Sequence, residues 1–431
     1  MAQTVMGGAA QAVEPTRFAA LDGLRAVGAL AVLTTHVGFH SGASLNGPAA
    51  GLLSRLDAGV ALFFVISGYL LYRPHAMSRM TGGPGPVLTR YLMHRCLRIL
   101  PAFWLAVLGA ALLMRDPTID AYEYLRIATF TQIYTPSASV PGLTQMWSLS
   151  TEIAFYLALP LIAVLLARVP GTAHSWAARS SRILLVAIPA AVAWIVWVHV
   201  DEGAGHRGLW LPAFLGWFGV GMGLAVWNAA RTAGVRRAGW LDHLAGSPGT
   251  CYGTAGALYL VLSTRLAGPL DLAEPTLSAA VVKNLGYAIL GGLLVLPAVR
   301  SGPAASHSLV ALTGSATRQL GAISYGIFCY HLIALDLAER MLGHATFDGQ
   351  FVELLILTTA LTLPMAWLSH RFVELPVMRW GRRYRWGAPQ VPSVGRPPSA
   401  QASLGEVPTG PISPPVTAEV PTTTSSSQAT N

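Results

Sequence analysis

Two ionisable side chains, Arg25 and His36, lie within the first apolar run of the sequence. They are eleven residues apart, which on an α-helix places them within about 20° of each other on one face and about 16 Å apart along the axis. An arginine can bind an anion through forked hydrogen bonds, and a histidine can take up and return a proton near neutral pH. The spacing therefore predicts that both groups face the same groove, one near one membrane surface and the other toward the opposite side.

Each of these residues also has a purely structural explanation. Arg25 could extend to the lipid headgroups from the end of a membrane helix, and His36 could lie just beneath the opposite surface. Ionisable side chains inside a membrane are costly, however, and they usually face a cavity or a partner. We therefore treat both residues as candidates for a functional site.

The composition of the chain is that of a membrane protein. Its 431 residues are 53% hydrophobic and 11% charged, whereas about one quarter of the residues of a soluble domain are charged. The formal charge of +9 arises from short basic clusters between apolar runs, which argues against a nucleic-acid-binding surface. The three cysteines show neither metal nor disulfide spacing. We therefore expect a lipid bilayer as partner, no nucleic acid and no metal site.

Ten apolar runs are long enough to cross a bilayer as helices. The sequence therefore predicts an all-α, polytopic membrane bundle of about ten transmembrane helices, with both termini on one side. The predicted spans cover residues 18–38, 57–73, 96–114, 147–168, 182–200, 208–228, 247–266, 277–299, 320–340 and 351–373.

Basic residues indicate the orientation of the bundle. Arginines are concentrated in the connections after the even-numbered spans, as with Arg79 and Arg90 after the second and Arg379 and Arg382 after the tenth. The alternate connections are poorer in arginine and contain acidic residues. By the positive-inside rule, the arginine-rich connections and both termini are predicted to be on the cytoplasmic side of the plasma membrane.

The chain divides into three predicted parts. Residues 1–17 form a short cytoplasmic segment that lacks the charged-then-apolar order of a signal peptide. Residues 18–380 form the membrane domain. Residues 387–431 are rich in Pro, Ser and Thr with few large apolar side chains, which predicts a disordered cytoplasmic tail.

Six motifs spread along the membrane domain resemble those of the acyltransferase 3 family of integral membrane acyltransferases. In chain order they are LDGLRAVGALAVLTTH at 21–36, FFVISGYLL at 63–71, RCLR at 95–98, WSLSTEIAFYL at 147–157, ISYGIFCYHL at 323–332 and RFVELP at 371–376. A single motif of this kind would be weak. Six in order, at sensible depths in the predicted helices, make a specific resemblance.

The resemblance implies roles for the arginines and for His36. In that family the residues matching Arg25 and His36 are needed for acyl transfer, and the donor is usually a cytoplasmic acyl-CoA. Arg25, Arg95 and Arg98 are all predicted near the cytoplasmic edge, where they could bind the CoA phosphates. His36 could act as general base toward an acceptor hydroxyl or be acylated itself. Acyl-CoA would be a donor substrate and not a permanently bound cofactor.

Other residues in the motifs are candidates for the same site. Glu152, a turn and a half from Trp147, could approach His36 by depth and orient its ring, stabilise the imidazolium or bind an acceptor hydroxyl. It could equally face the outer mouth without a catalytic role. Trp147, Ser148 and His331 are expected to bind substrate. Capping of the helix is an alternative for Ser148, and a buried helix-to-helix hydrogen bond is one for His331.

Four charged residues are interpreted as structural. Asp22 begins the first span, where the helix dipole favours a carboxylate. Lys283 is expected to extend from its span to the outer surface. Arg371 and Glu374 are expected to form an ion pair or an anchor at the end of the last span.

The resemblance implies transfer of an acyl group, which by family frequency is acetyl, from acyl-CoA to a hydroxyl of a cell-envelope glycan or glycolipid. O-acylation of a macrolide-type metabolite is the alternative acceptor chemistry. A transporter or flippase for a similar substrate would also suit buried ionisable groups, but neither inverted repeats nor paired broken helices are evident. A sensor that has lost catalysis is disfavoured because both Arg25 and His36 are present.

Overall fold

The structure is a computed structural model of the chain. It describes residues 18–114, 117–136, 139–201, 205–235, 238–270, 272–300 and 309–383. The predicted N-terminal segment, 1–17, and the predicted tail, 387–431, lie outside the described residues.

The described chain is built from helices, and none of its residues is in a β-strand. Short helices at Ala50–Ser54, Ala121–Ala128, Trp240–Ala245 and Val310–Thr313 lie in the connections. The longer helices are α1 (Ala19–His40), α2 (Ala58–Thr81), α3 (Leu88–Leu113), α4 (Met146–Ala167), α5 (Ala173–Leu185), α6 (Ala187–Val200), α7 (Leu211–Thr232), α8 (Pro248–Leu262), α9 (Leu277–Ala298), α10 (Ser315–Leu342), α11 (Phe351–Ser369) and α12 (Leu375–Arg383). One π-helical turn, His370–Glu374, joins α11 to α12.

Nine helical stretches of the described chain are long and apolar enough to cross a membrane. The prediction of an all-α, polytopic membrane bundle is confirmed. The exception among the ten predicted spans is 247–266, where α8 has 15 residues and a length of about 22 Å, short of the roughly 30 Å hydrocarbon core. The apolar run of the sequence is longer than the helix, which begins at Pro248 and ends at Leu262. Hydropathy alone does not show where a helix ends, so the predicted span is too long. The predicted placement of both termini on one side depended on an even count and stays a prediction.

Glycines allow α1 and α10 to touch through their backbones. A methyl group added at Gly321 of α10 would overlap the carbonyl oxygen of Asp22 in α1. One added at Gly23 of α1 would overlap that of Leu312, which lies in the short helix Val310–Thr313 just before α10. Close backbone contact is the usual means by which membrane helices associate, because lipid is as apolar as the side chains that it would replace. The contact sets the rotation of α1 against α10.

A second close contact joins α2 to α7. Gly68 lies against the carbonyl oxygen of Phe218, and Gly221 lies against that of Val65. Beside it, the ring of Phe218 stacks on Phe64 with centroids 4.5 Å apart and on Phe155 of α4 with centroids 4.0 Å apart. The three rings tie α2, α4 and α7 together.

Two glycines of α7 allow a test of the α2–α7 contact, because only one of them lies against α2. Gly221→Ala is expected to destabilise the protein by about 2 kcal/mol, because the new methyl group overlaps backbone that cannot yield without a helix shift. Gly223→Ala is the matched control: outside its own helical turn, its methyl group would meet no atom of the described residues within 4 Å, and alanine favours the helix. Thermal unfolding in detergent micelles measures both. Equal unfolding temperatures for the two variants would contradict the contact.

Candidate active site

Two histidines from different helices meet in the bundle. His36 Nδ1 lies 2.7 Å from the carbonyl oxygen of Val32 and 3.3 Å from Nε2 of His331. His331 is buried, and its Nδ1 lies 2.8 Å from the carbonyl oxygen of Phe328 and 3.1 Å from that of Ile327. The pairing is made across the α1–α10 contact.

The carbonyl contacts decide which ring nitrogens carry hydrogen. A carbonyl oxygen only accepts, so Nδ1 of each ring must donate, and a neutral imidazole has one donor and one acceptor nitrogen. Nε2 of His331 therefore accepts from the Nδ1–H group that His36 shares with Val32. The remaining nitrogen, His36 Nε2, has its lone pair free of hydrogen bonds within the described part of the chain. That nitrogen can act as a base or as a nucleophile.

The histidine pair has neighbours on both sides along the helices. The ring of Phe328 lies 6.2 Å from that of His331 and 6.5 Å from that of Phe63, measured between centroids. One turn beyond His36, His40 Nδ1 lies 3.0 Å from the Glu339 carboxylate of α10. Phe328 therefore lies beside the histidine pair and, together with Phe63, lines the cavity described next.

Three arginines line a narrow cavity of about 70 Å³ at the other end of α1. They are Arg25 of α1 and Arg95 and Arg98 of α3, and Glu152 is the only carboxylate in the cavity lining formed by described residues. Asp22 lies 3.9 Å from Arg25 on the same helix face, whereas Nε of Arg95 is buried without a hydrogen-bond partner. The predicted grouping of the three arginines is therefore present in the structure. We call this space the arginine cavity.

Glu152 belongs to the arginine cavity. Its carboxylate accepts a 2.6 Å hydrogen bond from the Tyr156 hydroxyl and another from the hydroxyl of Ser67. His36, which we expected it to approach by depth, instead has His331 as its side-chain partner. The rotation of the helices explains the difference. Glu152 and His36 could meet only if they lay at the same depth in the membrane and also faced the same space.

A second opening of about 160 Å³ shares Arg95 and Arg98 with the arginine cavity. It lies between residues 94–98 of α3 and residues 378–382 of α12, and His94 and Arg382 also line it. The opening adds a further guanidinium at the end of the bundle that was predicted to be cytoplasmic. We call it the basic mouth.

Trp147 and Ser148 face different spaces. Trp147 lines a third cavity, of about 480 Å³, and its ring lies 5.4 Å from that of Phe214. Ser148 lines the arginine cavity, and its hydroxyl donates to the carbonyl oxygen of Gln145, 3.2 Å away. The Ser148 hydroxyl thus bonds within its own helix turn, while the oxygen still has lone pairs toward the cavity.

Two structural interpretations need correction. Lys283 does not simply extend to the surface: its Nζ lies 2.6 Å from the Asp57 carboxylate. Glu374 pairs with His370, 3.4 Å away, and not with Arg371, whose guanidinium lies over the Phe372 ring. The π-helical turn causes the second change, because it rotates Glu374 inward, where it is buried.

Some site residues were not singled out by the sequence analysis. Ser67 and Tyr156 lie within motifs that carried the family resemblance, but nothing in their spacing indicates that both bind Glu152. Arg382 was counted only as a topological charge. No group of three or more His, Cys, Asp or Glu side chains that could hold a metal ion occurs among the described residues.

The acyltransferase domain of the acyltransferase 3 family matches residues 18–371. The chain belongs to this family. It is 24% identical to the peptidoglycan O-acetyltransferase OatA of Listeria monocytogenes over 84% of this chain and 56% of that protein. It is 26% identical to nodulation protein 10 of Rhizobium leguminosarum bv. viciae over 83% of this chain and 92% of that protein. The chain thus spans about half the length of the Listeria relative, and no solved structure matches it significantly.

The arginine cavity and the basic mouth should bind phosphate anions, which inorganic pyrophosphate can test. Arg98→Gln and Arg382→Gln are each expected to weaken pyrophosphate binding about tenfold, because each removes charge-assisted hydrogen bonds. Isothermal titration calorimetry of the protein in detergent micelles measures the affinity. Arg383→Gln is the matched control, since Arg383 is exposed beside Arg382 but lines neither space. An equal loss in the control would mean that overall charge, and not this site, attracts the anion.

Proposed function

We propose that this protein is an integral membrane acyltransferase that moves an acyl group from acyl-CoA to a hydroxyl of a cell-envelope glycan. One observation carries the proposal. Helix α1 presents Arg25 to the arginine cavity. Eleven residues further along it carries His36, whose Nδ1 bonds Val32 and His331 and whose Nε2 therefore keeps a free lone pair. A single rigid helix thus carries both a residue that could bind an anion, Arg25, and a residue that could act as a base, His36.

The donor would be held by its phosphates. Coenzyme A carries several phosphates at one end and its thioester at the far end of an extended arm, so the anchoring groups should lie well away from the reacting carbon. Arg95, Arg98 and Arg382 line the basic mouth, and Arg25 lies deeper in the arginine cavity. In this arrangement the arm runs along α1 toward His36, past Phe63 and Phe328.

His36 would then transfer the proton of the acceptor. Its Nε2 removes the hydroxyl proton as the oxygen bonds to the thioester carbon, the carbon–sulfur bond breaks, and the proton passes to the departing CoA sulfur. An alternative order has Nε2 attack the thioester first and form an acyl-imidazole that the hydroxyl then consumes. Both routes yield the ester and free CoA.

His331 and Glu152 have different positions in this mechanism. His331 accepts from the Nδ1–H group of His36, so it would hold the reactive tautomer and stabilise the imidazolium that forms during transfer. Glu152 faces the arginines. It would orient their guanidiniums and keep Ser67 and Tyr156 in place, which makes it a positioning residue on the donor side.

The choice of a glycan as acceptor and of acetyl as the acyl group rests on likeness to the Listeria relative, a peptidoglycan O-acetyltransferase. A macrolide hydroxyl is the alternative acceptor. The proposed orientation places the basic mouth at the cytoplasmic face of the plasma membrane, where acyl-CoA is made.

Label transfer from radioactive acetyl-CoA tests the proposal. Purified protein in nanodiscs would be incubated with labelled acetyl-CoA and either a disaccharide of N-acetylglucosamine and N-acetylmuramic acid or a macrolide. We expect His36→Ala to lower kcat by about 10²–10⁴-fold, the range of a lost general base. Arg25→Gln should chiefly raise the KM for acetyl-CoA, because it removes a phosphate contact.

The matched control is His174→Ala, which removes an exposed histidine that lines none of the three cavities. Wild-type transfer rates in the His36→Ala and Arg25→Gln proteins would overturn the proposed site. Transfer to the macrolide alone would overturn the glycan assignment. Transport of unmodified disaccharide by both the wild-type and His36→Ala proteins, without label transfer, would favour a transporter.

A further inference from the structure

The lining of the cavity of about 480 Å³ beside Trp147 contains none of Arg25, Arg95 and Arg98. It lies where α2, α4 and α7 begin, which is the end of the bundle opposite the basic mouth. Its volume suits a ligand of the size of one or two sugar rings. We call it the outer cavity. The side chains that matter for its chemistry are Asp57, Trp147, His199, Lys283, Asn284 and Tyr287.

An ion pair forms one wall of the outer cavity. Asp57 accepts from Lys283 Nζ, 2.6 Å away, and from the hydroxyl of Tyr287. About a third of each charged side chain is exposed, 36% for Asp57 and 33% for Lys283. An ammonium has three donors, and a carboxylate has about four acceptor sites, so both groups have hydrogen-bonding capacity left for a hydroxyl-bearing ligand.

The rest of the wall is held rigidly by bonds to the protein. Trp217 Nε1 donates to the Asn284 carbonyl oxygen, 2.9 Å away, and Asn284 Nδ2 donates to that of Ala213, 3.0 Å away. His199 Nδ1 donates to the carbonyl oxygen of Ile195, 2.9 Å away, which leaves Nε2 as an acceptor. Preorganised polar groups of this kind lower the cost of ordering a ligand.

The outer cavity adjoins the arginine cavity. Val60 lines both spaces. The consecutive residues Trp147 and Ser148 of α4 line one each. A ligand seated against Trp147 would therefore lie next to the space that leads to the acyl donor.

We propose that the outer cavity binds a sugar residue of the acceptor, with the Asp57–Lys283 pair recognising its hydroxyl groups and Trp147 contacting its apolar ring face. This inference rests on the proposed function, because it assigns the acceptor of that reaction. A purely aliphatic ligand fits less well, since it would cover the two charged groups without satisfying them. The donor and the acceptor thus enter from opposite ends of the bundle.

Binding of the disaccharide of N-acetylglucosamine and N-acetylmuramic acid, measured by tryptophan fluorescence in nanodiscs, tests the site without requiring acyl transfer. Lys283→Met and His199→Gln are each expected to weaken disaccharide binding at least tenfold while acetyl-CoA binding is unchanged. His199→Gln leaves the Asp57–Lys283 ion pair intact, so it still tests the site if Lys283→Met fails to fold. Ile289→Met is the matched control on α9, because Ile289 is exposed on the bundle surface and lies outside the cavity lining.

The outcomes separate this inference from the proposed function. Disaccharide affinity unchanged in both Lys283→Met and His199→Gln overturns the acceptor cavity, even if wild-type protein transfers acetyl groups. Disaccharide binding that is lost in both variants, by a protein that transfers no label, supports the cavity and overturns the enzyme. Binding of a macrolide or of lipid alone overturns the assignment to a sugar.

Discussion

The backbone contact between α1 and α10 is the constraint on which the candidate site depends. Gly321 of α10 lies against the backbone of Asp22 in α1 near the arginine end, and rigid helices carry that alignment to the other end. There His36 and His331 meet with ring nitrogens 3.3 Å apart. Because each ring also bonds a carbonyl of its own helix, the tautomer of His36 is set by two elements that cannot rotate independently.

The arginine cavity and the histidine pair, at opposite ends of α1, differ in their charge. The arginine cavity places three guanidiniums against one carboxylate, and Nε of Arg95 has no hydrogen-bond partner there. Cations inside a membrane domain are costly unless an anion or water satisfies them, so such a cluster is suited to a ligand that brings negative charge. The histidine pair, by contrast, has its hydrogen bonds arranged to leave one nitrogen lone pair free.

The three spaces follow one another across the bundle. The basic mouth shares Arg95 and Arg98 with the arginine cavity, which in turn shares Val60 with the outer cavity. The stack of Phe64, Phe155 and Phe218 fixes the helices around the middle of this series.

The sequence by itself determined the membrane embedding, most helix positions, the shared face of Arg25 and His36, and the family, because hydropathy, helical periodicity and motifs are properties of local stretches. It could not show that α8 is short, since composition does not reveal where a helix ends. Only the tertiary structure decided that His331 partners His36, that Glu152 faces the arginines, and that Lys283 pairs with Asp57. These contacts join residues far apart in the chain, and they depend on the rotation and depth that close packing gives each helix.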